Sequence, residues 1–146
     1  MIHPLVAAKT ALKASGRGLT NLKMNKVLYI AHMVYMGEQG EPLVSEPFEA
    51  WDYGPVLPSV YHQAKVFGSE PISEIFFVED ALAPSTPEGD YIYRAVKATE
   101  NKTPGELVAL THWNQGAWAK HYKPGVRGII IPNEDIIEEF KKRTQK

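Results

Sequence analysis

The chain has 146 residues, of which 44% are hydrophobic and 23% are charged, a balance that suits one soluble globular domain and excludes a disordered segment. It contains no cysteine, which excludes disulfides and thiolate metal sites, and no apolar run approaches the roughly 20 residues that cross a bilayer. The N-terminus also lacks the order of residues of a secretory signal, so we expect a cytoplasmic protein.

The net charge of -1 conceals an uneven distribution. Residues 48–90 carry eight acids and one base, whereas residues 1–47 carry five bases and three acids, and residues 91–146 carry ten bases and six acids. An acidic middle between basic ends argues against a nucleic-acid groove, which needs one continuous basic face. It suits docking to a basic protein surface, and it equally fits a solvated acidic loop region.

The first two helices are predicted from capping residues and apolar spacing. Pro4 suits a first helical turn, and helical spacing follows up to the glycine-rich break after residue 15. Thr20 is a favoured N-cap for the strongest predicted helix, over about residues 21–36, which Gly37 and Gly40 are expected to end. Because this helix carries two apolar stripes, we expect it to be packed on two sides as the central helix of the fold.

The middle of the chain is predicted to be less regular. Residues 46–52 indicate a short extended segment, Gly54-Pro55 a turn, and residues 58–68 a helix. The apolar run at residues 74–78 is typical of a short strand or a buried extended segment.

Helix starts with clear chemistry mark the second half of the chain. Thr86 before a proline predicts one helix, and Thr103 with Glu106 has the spacing of a capping box. Later predicted elements are a helical turn at residues 117–118, a short strand at residues 129–131, and a last helix capped by Asn133. The sequence therefore predicts one domain over residues 1–146, mainly α with a few short β-strands (α+β), around the central helix.

No convincing catalytic or metal site is evident in the sequence. The five histidines form no HExxH motif, and no phosphate-binding loop or nucleophile elbow occurs. A zinc site without cysteine would require these histidines to converge with carboxylates. A hydrolase or nuclease that uses Asp52 and His112 is one alternative. We otherwise expect no enzyme activity, no metal and no cofactor.

Aromatic and polar side chains are concentrated in two places. One surrounds Trp51 and Tyr53, and the other surrounds His112 and Trp118. Tryptophan and tyrosine combine a large rigid surface with a polar edge, as the anchors of protein interfaces do. Taken singly, Trp51 and Trp118 are better explained as core residues and His112 as a buried, hydrogen-bonded histidine. Asp52 is then expected to accept backbone N–H bonds in the turn.

Three motifs together resemble the Panacea domain family. Residues 20–29 are similar to the helix that opens this domain, and residues 49–61, with the core Glu-Ala-Trp-Asp-Tyr-Gly-Pro-Val, look like its central signature. Thr111-His112 with the later tryptophan resembles a third element, although Gly116-Ala117 stands where the family often has proline. The matching positions are Leu22, Lys23, Lys26, Tyr29, Ala50, Trp51, Tyr53, Gly54, Pro55, Val56, Tyr61, His112 and Trp118.

The resemblance implies an antitoxin of a bacterial or phage toxin–antitoxin system, which neutralises a cognate toxin from an adjacent gene by direct protein contact. One relative also delivers its toxin to a ClpXP-type protease, so a proteolytic adaptor is the alternative, with the basic residues 141–146 as a conceivable second docking site. Specificity for the toxin is then expected in variable surface, chiefly the acidic residues 69–90. The candidate partner-binding residues are Asp52, Glu74, Glu79 and Asp80.

The sequence also bears on three other kinds of partner: a second copy of the chain, nucleic acid and a membrane. Exposed aromatic residues are equally compatible with a homodimer. No nucleic-acid or membrane partner is expected, because no recognition helix is evident, the middle of the chain is acidic, and no apolar run is long enough to cross a bilayer.

Overall fold

The computed structural model describes residues 1–16, 18–73 and 79–145. The predicted class is confirmed, because helices dominate this part of the chain and the strands are few and short. The predicted strand at residues 74–78, with Glu74, lies outside the described residues. The elements are α1 (Pro4–Ala14), α2 (Asn21–Gln39), β1 (Phe48–Trp51), β2 (Gly54–Val56), α3 (Pro58–Ala64), a 3-10 turn (Lys65–Phe67), α4 (Pro87–Thr99), α5 (Pro104–Thr111), α6 (Ala117–His121), β3 (Ile130–Ile131) and α7 (Asn133–Thr144).

Helix α2 is the central helix, as predicted. It contacts α1, α3, α4, α5, α7 and β2, and both of its apolar stripes are largely buried. The Thr20 side chain caps its start by accepting a hydrogen bond from the Lys23 backbone N–H, and Gly40 ends it with a left-handed φ of 78°. The prediction that Gly37 helps to end this helix was wrong. Gly37 lies inside α2, where a Cβ would be 2.1 Å from the Phe140 ring of α7, so close helix packing explains the glycine.

The three strands form an antiparallel sheet in the order β2-β1-β3. The turn of the hairpin consists of Asp52 and Tyr53, so the predicted turn at Gly54-Pro55 was two residues too late. Gly54 and Pro55 instead belong to β2, where Gly54 pairs with Trp51 and Pro55 pairs with Ala50. A proline is tolerated there because β2 is an edge strand, on which one side of the backbone needs no ladder hydrogen bond.

The two faces of this sheet differ. Phe48 and Ala50 of β1 point into the core, where the Phe48 ring makes an edge-to-face contact with Tyr29 of α2 at 5.3 Å between ring centroids. Glu49 and Trp51 alternate to the other face. Ile130 of β3 lies directly opposite Glu49 and therefore shares that outer face, with 54% of its surface exposed. The inner face thus completes the core, while part of the outer face meets solvent.

The C-terminal helix is tied to α2 by long-range polar contacts. Asn133 does not provide the predicted side-chain cap: it is the first residue of α7, and its Oδ1 lies 3.0 Å from Nε2 of the buried His32. Arg143 is also not part of a free basic tail, because it donates hydrogen bonds to Glu139 and to the Leu110 carbonyl. Elsewhere the predicted capping box of Thr103 and Glu106 is confirmed, with both of its hydrogen bonds present.

Within the described ranges, no helix has the length and apolarity that crossing a bilayer requires.

Candidate protein-binding face

Aromatic side chains cluster on the outer side of the hairpin. The Trp51 ring contacts Tyr61 at 4.6 Å and His62 at 6.2 Å between centroids, and the last two rings are 5.5 Å apart. Tyr53, at the tip of the hairpin, is 68% exposed. We call the surface formed by Trp51, Tyr53, Tyr61, His62, Val126 and Ile130 the hairpin face. Of the five large apolar side chains that are strongly exposed in the described ranges, three lie on it.

Two grooves flank the ridge that Trp51 and Tyr61 form. One, of about 480 Å³, lies between the start of α2 and the hairpin, and its walls include Leu22 and Val56. The other, of about 400 Å³, lies on the side of the loop before β3 and includes Val126. A ridge between two grooves can interlock with the side chains of a partner, which is the shape complementarity found in the centre of protein interfaces.

The hairpin and the start of α3 are held from beneath by three buried polar residues of α2. Asn25 Oδ1 accepts a hydrogen bond from the Leu57 backbone N–H at 2.9 Å, and Asn21 Nδ2 donates to the Tyr61 carbonyl at 3.1 Å. Lys26 Nζ donates to the Pro55 carbonyl at 3.3 Å. These bonds fix the backbone that carries one side of the hairpin face. Sequence reasoning missed the role of Asn21 and Asn25, although two amides four residues apart on a buried helix signal polar groups that need partners.

A second brace comes from the C-terminal half of the chain. The His112 ring stacks on Trp118 at 3.6 Å between centroids, and Trp118 stacks on Tyr122 at 4.5 Å. Trp118 Nε1 donates to the Trp51 carbonyl at 2.7 Å, and the Tyr122 hydroxyl donates to Asp52 Oδ1 at 2.5 Å. The start of the turn is therefore clamped, at the Trp51 carbonyl and at the Asp52 side chain, by aromatic side chains that lie far away in the sequence.

Two bases lie under the turn in an unusual electrostatic setting. Lys26 is fully buried, and this burial lowers the pKa of its ammonium to about 7. The pKa of His112 is also lowered, first by burial and then by the positive charge of Lys26, although a hydrogen bond to the Tyr53 backbone opposes both effects. The buried Nε2 of His112 has no hydrogen-bond partner among the described residues. The site therefore contains a buried lysine and an unpaired imidazole nitrogen below an exposed aromatic turn.

The arrangement gives little support to the catalytic alternative. Asp52 and His112 do belong to one cluster, but Asp52 accepts its hydrogen bond from Tyr122, while His112 stacks on Trp118. In residues 1–16, 18–73 and 79–145, no group of three His, Asp or Glu side chains could hold a metal ion.

Of the acidic candidates that the structure describes, Asp52 lies in the turn of the hairpin, whereas Glu79 and Asp80 lie in a different region. Glu79 is half-buried and Asp80 is exposed, and both precede the loop that enters α4. That loop is attached to α1, because the Leu82 backbone N–H donates to Thr10 Oγ1 at 2.9 Å. Glu79 and Asp80 would thus offer a separate surface.

The remaining signature positions divide between the core and the start of α2. Tyr29 and Ala50 are buried, and the Tyr29 hydroxyl donates to Glu139. Lys23 is half-buried and lines a groove near α4 rather than the hairpin face. Most of the signature therefore builds or braces the hairpin, while Trp51, Tyr53 and Tyr61 form its surface.

Fold and face together define a small helical domain that presents a braced aromatic surface. The family described as "Antitoxin SocA-like, Panacea domain" matches residues 24–119, more than half of the chain. The chain therefore belongs to the SocA-like Panacea domain family, which confirms the resemblance found in its motifs.

A named relative is Antitoxin SocA of Caulobacter vibrioides (strain NA1000 / CB15N). It is 31% identical over 109 residues, which cover 68% of this chain and 58% of that protein. The chain thus spans somewhat more than half the length of this relative. No solved structure matches the chain significantly.

Proposed function

We propose that this chain is an antitoxin that neutralises a cognate toxin by direct binding, and that the hairpin face is the contact surface. The observation that carries the proposal is the half-buried aromatic ridge of Trp51 and Tyr61 between two grooves, beside the exposed Tyr53. Membership of the SocA-like Panacea domain family supports the antitoxin role.

The physical argument is preorganisation. Trp51 is held through its carbonyl by Trp118 and through its Nε1, which donates to Glu49 at 3.0 Å. An anchor that is already ordered loses little conformational entropy on binding, so more of its buried surface contributes to affinity. Aromatic anchors of this kind often account for about 2 kcal/mol or more of binding when they are truncated.

The acidic surface supplies a second, weaker element of the proposal. Glu79 and Asp80, with Glu74, would contribute selectivity for a basic toxin surface by complementary charge. Asp52 would act differently, because its hydrogen bond to Tyr122 helps to hold the turn.

Co-expression of this chain with the product of the adjacent gene tests the proposal. Tyr53→Asp and Ile130→Asp place a charge on the hairpin face at exposed positions, and Ala98→Asp places the same charge at an exposed position of α4 as the matched control. We expect the first two variants to bind the toxin about tenfold or more weakly and to lose growth rescue, while the control neutralises like the parent.

Three results would argue against parts of this proposal. If Tyr53→Asp and Ile130→Asp neutralise like the parent, the contact surface lies elsewhere. If the adjacent product is harmless alone and does not bind, the antitoxin role itself fails. If growth rescue requires a ClpXP-type protease and the toxin disappears from the cells, the chain acts as an adaptor.

A further inference from the structure

The buried Lys26 lies beneath the hairpin turn, and its ammonium contacts the backbone that follows the turn. Lys26 Nζ has one hydrogen bond among those described, to the Pro55 carbonyl, although an ammonium has three donors. Its side chain passes so close to the hairpin that a Cβ on Gly54 would lie 2.7 Å from Lys26 Cε. Residue 54 is therefore a glycine in contact with a buried lysine.

An apolar side chain of similar length would suit this position better if stability were its only role. Removing a charge from water costs free energy, and a single hydrogen bond of 3.3 Å recovers little of it. The pKa of Lys26 is lowered for the same reason, because burial disfavours the charged form of the side chain. A core of this size can fill such a space with methionine or leucine, so the ammonium requires another explanation.

The groups around Lys26 all converge on the turn. The end of α5 contributes the Thr111 hydroxyl, which would lie 3.0 Å from a Gly54 Cβ, and the residue after it is His112, whose pKa the lysine charge lowers. The turn itself contributes Asp52, which is engaged by Tyr122, and Lys65 lines the same groove as Lys26.

We propose that Lys26 is a positioning residue of the hairpin face: together with His112 it holds the backbone from Asp52 to Pro55 in the conformation that the partner binds. It acts through the Pro55 carbonyl from below, while Tyr53 projects from the same turn into solvent. The part of this inference that concerns binding rests on the proposed function. The part that concerns the backbone of the turn does not.

The test is Lys26→Met in the full chain, read out by amide hydrogen exchange, thermal unfolding and toxin binding. Methionine keeps an unbranched stem and removes the donor. We expect exchange at Tyr53, Gly54 and Val56 to become about tenfold faster, which corresponds to the loss of one hydrogen bond to a charged group, and exchange in α4 to stay unchanged. The melting temperature should stay the same or rise, and binding of the adjacent gene product should weaken about tenfold.

Two further variants make the result specific. Lys23→Met makes the same substitution three residues earlier on α2, away from the hairpin, and should leave exchange and binding as in the parent. Lys26→Gln retains an N–H donor and should restore part of the protection of the turn.

Each outcome decides the matter. Unchanged exchange in the turn of Lys26→Met overturns the proposal, as does faster exchange spread evenly over the whole chain with a lower melting temperature, since both describe a purely structural residue. Unfolding of both the Met and the Gln variants overturns it as well. If the parent itself does not bind the adjacent product, the proposed function has failed, and the exchange pattern still decides the role of Lys26.

Discussion

Helix α2 carries two buried polar clusters that are satisfied to different degrees. Near the middle of the helix, Glu139 Oε1 accepts from the Tyr29 hydroxyl at 2.7 Å and from the Ala117 backbone N–H at 2.9 Å, and Glu139 Oε2 accepts from Arg143 at 2.7 Å. We call this the Glu139 cluster. Toward the N-terminal end, beneath the hairpin, Lys26 has one long hydrogen bond and His112 Nε2 has none among the described residues.

The difference separates a cluster that holds the fold from one that adjusts a surface. In the Glu139 cluster a buried carboxylate joins α2, α6 and α7, and every oxygen is used, so its members should matter chiefly for stability. Beneath the hairpin, incomplete pairing leaves polar groups that cost stability and act on the presentation of Tyr53. Substitutions in the Glu139 cluster should therefore lower the free energy of unfolding. Substitutions beneath the hairpin should instead change the conformation of the turn.

The largest effect is expected from Glu139→Ala. This substitution leaves Arg143, the Tyr29 hydroxyl and the Ala117 N–H without their acceptor, and breaking a buried charge pair typically costs about 3–5 kcal/mol. Denaturant unfolding monitored by tryptophan fluorescence measures the loss. Glu138→Ala, at the exposed neighbouring position, should change the free energy of unfolding by less than about 0.5 kcal/mol. Equal small effects of both variants would remove Glu139 from its central role.

An acid-dependent loss of stability of about 3 kcal/mol is expected from His32 of α2. Its Nδ1 accepts from the Val44 N–H, its Nε2 lies 3.0 Å from Asn133 Oδ1, and burial lowers its pKa to about 4 from 6.5. Because the unfolded chain binds the proton first, stability should fall as the pH falls from about 6.5 to about 4.

The measurement for His32 is the free energy of unfolding at several pH values in the parent and in His32→Gln. The difference between the two slopes isolates this histidine from the carboxylates that also titrate in acid. Parallel curves would show that His32 is not the residue responsible.

Lys26 should affect stability at alkaline pH instead. Its pKa is about 7 in the folded chain and 10.5 in the unfolded chain, so the free energy of unfolding should rise as the pH rises through this interval.

A smaller effect, of about 1–3 kcal/mol, is expected from Gly54→Ala. The new Cβ meets Lys26 Cε and Thr111 Oγ1, and the φ of 119° adds backbone strain. Gly68→Ala is the control, since Gly68 also has a positive φ, of 57°, but nothing lies within 4 Å of its Cβ position. If contact with the lysine matters, Gly54→Ala should lower the melting temperature more and weaken toxin binding. Similar melting temperatures would attribute the loss to φ alone.

Local chemistry explains how much of the fold could be predicted. The start of α2 at Thr20 and the capping box of Thr103 and Glu106 depend on neighbours within four residues, so their sequence patterns were sufficient. The hairpin turn was misplaced because Gly54-Pro55 has the composition of a turn, whereas the register of the strands is set by pairing with β1 and by the burial of its neighbours.

Long-range contacts explain what could not be predicted. Gly37 is required by the Phe140 ring of α7, and the Asn133 side chain is engaged by His32, so neither role is visible in the local sequence. The sequence patterns placed Trp51 and His112 in two separate aromatic regions. Only the structure shows that these regions meet at the hairpin turn, and which partners brace it, such as Asn25 with Leu57.

The hydrogen bond from Trp118 to the Trp51 carbonyl has a consequence for synthesis in the cell. A nascent chain that has emerged only as far as α5 already contains the whole hairpin, but it lacks Trp118, Tyr122 and strand β3. Since domains assemble as the chain leaves the ribosome, the aromatic turn stays unclamped until α6 and β3 have also been translated. If the hairpin face is the contact surface proposed above, it would be ready to bind a partner only after β3 has emerged.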